Sequence, residues 1–260
     1  MSSEESQPPE NRDDLIVAQK EAIYKEIAES TPLVGLEPEP LESLEKEFSH
    51  DEAFREKAKR LSEEYEGFRR TRPDGNCFFR ALGYRVFEIL LQDKEELLKF
   101  KQVIIPSKEI MASLGFPSDT ILEDFYDNFM EALDKCENMN QKELTEMFND
   151  QGVSDYIVVF LRLLTSMQLQ KDADFYMNFM EDHLSVSEFC KAEVETMYKE
   201  SDHIHVIALT AATGVNVRIL YLDRGSNKEA SPHDFPEGSD PKVHLLYRPG
   251  HYDVLYPKKK

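Results

Sequence analysis

Long apolar runs are missing from this chain of 260 residues: no segment approaches the length that spans a bilayer, and Met1 to Asp14 is acidic and polar, unlike a secretory leader. Cysteine is scarce. Three residues, spaced far apart, exclude a disulfide framework and fit a reducing compartment, the cytoplasm with the nucleus left open. Basic residues are in deficit, because 31 Lys and Arg face 51 Asp and Glu, for a net charge of −20. That balance disfavours nucleic acid and anionic membrane surfaces as partners, since both need clustered Lys and Arg. Only Lys258-Lys259-Lys260 runs the other way, as a solvated basic tail covering residues 258–260. Metal-site spacing is also missing. His203-Ile204-His205 sets two imidazoles at i and i+2, with no cysteine pair or HExxH pattern to complete a shell, so neither metal nor cofactor is expected. Internal repeats are absent.

What is present is an apolar content of 40%, enough for a sizeable core in one large domain, or one domain plus an arm. Within it, the run Asp74-Gly75-Asn76-Cys77-Phe78-Phe79-Arg80 puts a cysteine where a tight Gly/Asn turn gives way to a helical pattern. A thiol at a helix N-terminus sits beside unpaired backbone N–H groups and the positive end of the macrodipole, and both favour thiolate. The same amides can donate to a developing oxyanion. A base is best sought in Tyr247-Arg248-Pro249-Gly250-His251-Tyr252-Asp253, a turn entering a short strand. Alternate strand residues share a face, so Asp253 can accept from one imidazole nitrogen of His251 while the other faces the thiol. The logic is Cys/His/Asp, with the meeting of the two chain ends left to the fold.

Along the chain, residues 1–12 are too polar to order, and from about Asp13 to Ser30 an amphipathic helix is expected, capped by Asp13 or Asp14, with Ile16, Ile23 and Ile27 on its apolar face. That face packs on the parent body or on a partner. Prolines and glycine at 31–40 then break regular structure, so the expected organisation is an acidic tail and arm over 1–40 and a catalytic domain over 41–257. Phe54, Ala58, Leu61 and Tyr65 mark a helix ending near Gly67, and the nucleophile helix runs from about Cys77 to Gln92. Further helices are expected over 95–105, 121–136, 142–148, 154–169, 173–180, 187–199 and 205–212. β character concentrates after Gly214, in 215–222, 242–247 and 252–256, which gives an α+β class with a small sheet packed among many helices. Cys136 and Cys190 read as structural thiols, and His203 and His205 as scaffold.

Three blocks, Thr71 to Arg80 (TRPDGNCFFR), Ser201 to His205 (SDHIH) and Leu245 to Tyr256 (LLYRPGHYDVLY), resemble the otubain branch of the ovarian-tumour (OTU) cysteine proteases. Asn149-Asp150-Gln151 with Ser154-Asp155-Tyr156, and Phe235 to Lys242 (FPEGSDPK), extend the resemblance over roughly residues 15–256. It implies a papain-like OTU fold and a deubiquitinating isopeptidase that favours lysine-forty-eight-linked polyubiquitin and also binds ubiquitin-conjugating enzymes to inhibit transfer. It implies Cys77 as nucleophile, His251 as general base, Asp253 as its orienting acid and Asp74 as a residue shaping the oxyanion loop. By the same resemblance Ile16, Ile23 and Ile27 belong to an arm that holds ubiquitin, Pro236, Glu237, Gly238, Asp240, Lys242 and His244 to a distal-ubiquitin surface, and Tyr156 to a surface for conjugating enzymes. The implied protein is a monomer without cofactor. The alternative is a chiefly non-catalytic inhibitor of charged conjugating enzymes.

Overall fold

The computed structural model describes residues 19, 22–23, 26–27, 29–117, 120–180, 185–223 and 229–258. Its elements run α1 (Glu42–Glu47), α2 (Glu52–Glu64), β1 (Tyr65–Arg69), α3 (Cys77–Leu90), α4 (Lys94–Ile104), α5 (Ser107–Ser113), α6 (Thr120–Cys136), α7 (Gln141–Asn149) and α8 (Gln151–Lys171), then the one-turn helices α9 (Ala173–Tyr176) and α10 (Val186–Phe189). They close with α11 (His203–Thr213), β2 (Val217–Tyr221), β3 (Ser231–Phe235), β4 (Val243–Arg248) and β5 (His251–Pro257). The strands form one sheet in the order β1-β5-β4-β2-β3, antiparallel except for the β4·β2 pair.

The inner strands of the sheet are buried on both faces, and their sequences show why. Neighbouring apolar residues point to opposite sides. Ile219, Leu245 and Val254 meet α3 and the helical mass behind it, whereas Leu220, Leu246 and Leu255 meet Leu44, Phe54, Ala58 and Leu61 from α1 and α2. Side-chain caps start several helices: Asp51 accepts from Phe54 N, Asp93 from the amides of Glu95 and Glu96, and Asn140 pairs with Glu143 in a capping box. At the other end of α11, Gly214 takes the left-handed conformation (φ +68°) that ends the helix without a Cβ penalty.

Three expectations are corrected. A strand precedes Gly214: β1 follows α2 without a break and pairs with β5, so Tyr65 and Gly67 belong to the sheet. Its Arg69 is buried because the guanidinium donates to Gly35 O, Leu36 O and Tyr256 Oη. The stretch 31–40 belongs to the body and not to the arm. Leu33 and Val34 are buried, Val34 bridges to Thr71, and Glu39 bridges to Phe68, so the body begins before residue 41. The helix expected over 187–199 stops early, turning into a single π-helical turn, Cys190–Val194, whose last carbonyl, Val194 O, accepts from Arg162. His244 lies on β4, within the strand expected over 242–247, with Nδ1 bonded to Tyr65 Oη at 3.0 Å and Nε2 to Pro241 O at 3.1 Å. Both ring nitrogens are therefore occupied within the fold.

Candidate active site

Cys77 is the first residue of α3, and the first bond of that helix runs from Arg80 N to Asn76 O, so the amides of Cys77, Phe78 and Phe79 have no acceptor within the helix. The helix is held rigidly. Phe78, Phe79, Ala81, Leu82 and Phe87 are buried in the main core, and Phe78 packs edge-on against Tyr252 of β5.

The loop before Cys77 is fixed by four buried polar side chains, those of Asp74, Asn76, Arg80 and Arg162. Asp74 Oδ1 accepts from Asn76 N at 2.9 Å and from Arg80 Nη1 at 2.8 Å, folding the turn back onto the helix. Gly75 (φ +79°) lets the chain pass against Tyr198, since a Cβ there would lie 2.3 Å from Tyr198 O. Asn76 Oδ1 accepts from Tyr198 N at 3.0 Å and from Arg162 Nη2 at 2.8 Å. Arg162 is fully buried over the Phe79 ring and also donates to Gly75 O, Val194 O and Lys199 O. Burial pulls its pKa down to about 10, with the Asp74 charge opposing the drop.

The opposing wall is the β4–β5 hairpin. Arg248 and His251 are a register pair, leaving Pro249-Gly250 as a two-residue turn whose glycine has φ +76°. His251 opens β5, and Asp253 lies two residues on with no exposure at all. Imidazole Nε2 bonds Asp253 Oδ1 at 2.9 Å. The buried Nδ1 meets no hydrogen-bond partner, but the sulfur of Cys77 is near enough that a thiolate there favours the imidazolium. Burial alone would lower the His251 pKa. The Asp253 hydrogen bond and Cys77 outweigh it and hold the pKa up at about 9. Burial likewise works against the Asp253 carboxylate, yet His251, Arg248 and the Thr71 amide keep its pKa below the ordinary value.

The fold thus brings Cys77, His251, Asp253 and Asp74 into one region, on α3, the loop before it and β5. Beside His251 lies an open groove of about 1100 Å³ lined by Thr31, Phe48, His50, Pro73 and Pro249. Thr31 marks where the N-terminal segment arrives. There Ile23 is half exposed and Ile27 half buried, while Ile16 lies outside the described residues. A second groove, of about 1270 Å³, is lined by Phe175, His203, His233, Pro236, Glu237 and Gly238. Asp240 and Lys242 line a different cleft, and Lys242 is paired with Glu96 at 2.7 Å. Tyr156 is 38% exposed with its ring 5.0 Å from Phe125. Cys136 and Cys190 are buried, and burial pushes their thiols up to about 11 and about 12, which leaves them unreactive. His205 closes the N-terminus of α11 by accepting the Asp202 amide.

Sequence reasoning passed over Thr71, Asn76, Arg162 and Arg248, whose polar groups fix the catalytic side chains or the loop that carries them. Two of the four, Arg162 and Arg248, are arginines, and a buried arginine carries no mark in a single sequence that separates it from a surface one. Thr71 and Arg248 do fall inside motif blocks, which is the signal that was available.

The model of the Peptidase C65 Otubain family matches residues 26–257. Ubiquitin thioesterase OTUB1 of Homo sapiens is 50% identical over 246 residues, covering 94% of this chain and 90% of that protein. The OVARIAN TUMOR DOMAIN-containing deubiquitinating enzyme 1 of Arabidopsis thaliana is 40% identical over 266 residues, covering 93% and 86%. Among solved structures, h/ceOTUB1 with ubiquitin aldehyde and UBC13~Ub superposes with a TM-score of 0.88 at 38% identity, covering 95% of this chain and 99% of that one. The corresponding complex with UBCH5B~Ub gives the same TM-score at 37% identity. Fold, site and sequence agree along nearly the whole chain, which therefore belongs to the Peptidase C65 otubain family.

Proposed function

We propose that this chain is a deubiquitinating cysteine hydrolase cleaving the bond between the ubiquitin C-terminus and a lysine amine. The observation that carries the reading is Cys77 at the N-terminus of α3 facing an imidazole that Asp253 keeps protonated, in a chain half identical to a ubiquitin thioesterase. Attack by the Cys77 thiolate forms the thioester, and α3 amides left without helical acceptors stabilise the oxyanion. His251 protonates the departing amine and then acts as base for the water that hydrolyses the thioester. Asp253 orients and charges the imidazole, and Asp74 shapes the loop. Wild-type protein is expected to release fluorophore from a ubiquitin C-terminal amide, and Cys77→Ala to lose that activity. Turnover persisting in Cys77→Ala removes the reading.

Ubiquitin is proposed to occupy both grooves, the one that His251 itself lines and the one rimmed by Pro236, Glu237 and Gly238. Pro236, Glu237 and Gly238 share one exposed rim, which supports their role toward the distal unit, whereas Ile23 and Ile27 precede Thr31, which lines the other groove, and are read as the arm that holds the second unit. Asp240 and Lys242 face elsewhere, and the inward hydrogen bonds of His244 give it a scaffold role. A preference for lysine-forty-eight linkages is implied by the sequence resemblance, and a panel of linkage-defined di-ubiquitins tests it. A second activity, binding ubiquitin-charged conjugating enzymes, is favoured by the UBC13~Ub and UBCH5B~Ub complexes of the h/ceOTUB1 neighbours. Tyr156 beside Phe125 offers the aromatic surface such a contact uses. Inhibition of ubiquitin transfer surviving in Cys77→Ala separates it from hydrolysis. Three free thiols suit a reducing compartment, so the cytoplasm is the proposed location.

A further inference from the structure

Asp253 uses both carboxylate oxygens. Oδ1 takes His251 Nε2 and the Thr71 amide, each at 2.9 Å, while Oδ2 takes Arg248 Nη2 at 2.6 Å. With Oδ2 unheld, the carboxylate gains freedom to turn about its Cβ–Cγ bond, and the imidazole that leans on it turns as well. Arg248 sits directly across from His251 in the β4·β5 ladder. It is itself clamped: Nη1 donates to Glu47 Oε1 at 2.7 Å, and Glu47 Oε2 accepts from Arg70 Nη2 at 2.9 Å. Its Nε is buried without a partner, so the two Nη contacts set its place. A continuous line, Glu47–Arg248–Asp253–His251, therefore ties α1, on the far face of the sheet, to the imidazole.

We propose that Arg248, held by Glu47, is a positioning residue for the hydrolysis, locking the Asp253 carboxylate in the orientation that aims His251 at Cys77. The inference rests on the hydrolase reading above. Bridging by a planar guanidinium suits this task, because its two Nη groups point in fixed directions toward two carboxylates at once. A point-charge ammonium cannot hold both. The charged groups facing His251 are Asp253 on its own strand, Arg248 on β4, Cys77 on α3 and, near Gly250, the Glu200 carboxylate. Removing the Arg248 charge leaves the Asp253 field on the imidazole less compensated, so the imidazolium persists to higher pH.

The test compares Arg248→Gln, Arg248→Lys and Glu47→Gln on a fluorogenic ubiquitin C-terminal amide, with Cys77→Ala as the blank, recording kcat, KM and the alkaline limb of the pH profile. Arg248→Gln is expected to lower kcat roughly 100-fold, the scale of a misplaced catalytic group, with KM nearly unchanged and the alkaline limb moved to higher pH. Arg248→Lys should recover part of kcat. Glu47→Gln should move kcat in the same direction by less, with its thermal unfolding close to wild type. Wild-type kcat in Arg248→Gln overturns the inference, as does a loss expressed in KM with the alkaline limb unmoved, which marks a substrate contact instead. If Arg248→Gln does not fold, Glu47→Gln decides alone: folded protein with wild-type kcat and pH profile overturns the role. Turnover by Cys77→Ala would remove the hydrolase reading, and the inference with it.

Discussion

Asp253→Asn tests the electrostatics of the site with little change of shape. In the native protein His251 rises from 6.5 to about 9 although burial acts to lower it, so the carboxylate and thiol together supply on the order of 3 kcal/mol or more in favour of the imidazolium. The amide keeps the shape and removes the charge. Burial is then opposed by Cys77 alone, and the His251 pKa should fall from about 9. Two measurements follow. The alkaline limb of kcat, where the imidazolium that protonates the leaving amine is lost, should move down from near pH 9, with kcat reduced roughly 100- to 10,000-fold above the new limb. Stability carries the same sign: a His pKa raised by folding contributes stabilisation that is complete below about 6.5 and is lost as pH rises through about 9. Urea unfolding midpoints taken across that window should decline in wild type and lose this component in Asp253→Asn. An Asp253→Asn protein whose alkaline limb and stability slope match wild type refutes the assignment of Asp253 as the group that charges His251.

Gly75→Ala should both destabilise the protein and reduce kcat strongly, because its Cβ would meet the Tyr198 carbonyl at 2.3 Å, backbone against backbone; melting and turnover measured together check it. Arg162→Met severs the bonds to Gly75, Asn76, Val194 and Lys199, and a loss of roughly 3–5 kcal/mol in urea unfolding is expected for breaking a buried charged network. Deleting residues 1–30 should weaken cleavage of polyubiquitin and inhibition of conjugating enzymes far more than hydrolysis of the minimal fluorogenic substrate, since Cys77, His251 and Asp253 lie in elements that the deletion leaves intact. Equal losses in all three assays would count against the arm.

Helices with strong periodicity were legible to within a few residues: α3, α4, α6 and α11 begin and end close to where apolar spacing and caps place them. The nucleophile and the His/Asp pair were legible for a related reason, since a Gly-Asn turn before a helical run and a Pro-Gly turn before an alternating run are local signals. What escaped depends on distant partners. β1 (YEGFR) carries Glu, Gly and Arg and follows an amphipathic helix directly, and it becomes a strand because β5 offers it an edge and Gly35, Leu36 and Tyr256 satisfy Arg69. β3 (SPHDF) reads as loop because of its proline, which an edge strand tolerates. Arg162 and Arg248 acquire their roles from carbonyls and carboxylates remote in sequence, such as Gly75, Val194 and Glu47. No window of local sequence contains those pairs.

The most direct measurement is covalent capture by ubiquitin carrying a thiol-reactive C-terminus, followed by peptide mapping of the adduct. Geometry around α3 predicts one ubiquitin attached at Cys77, with Cys136 and Cys190 unlabelled because burial pushes their thiols up to about 11 and about 12. An adduct on either of those cysteines, or none on folded wild-type protein, contradicts the account.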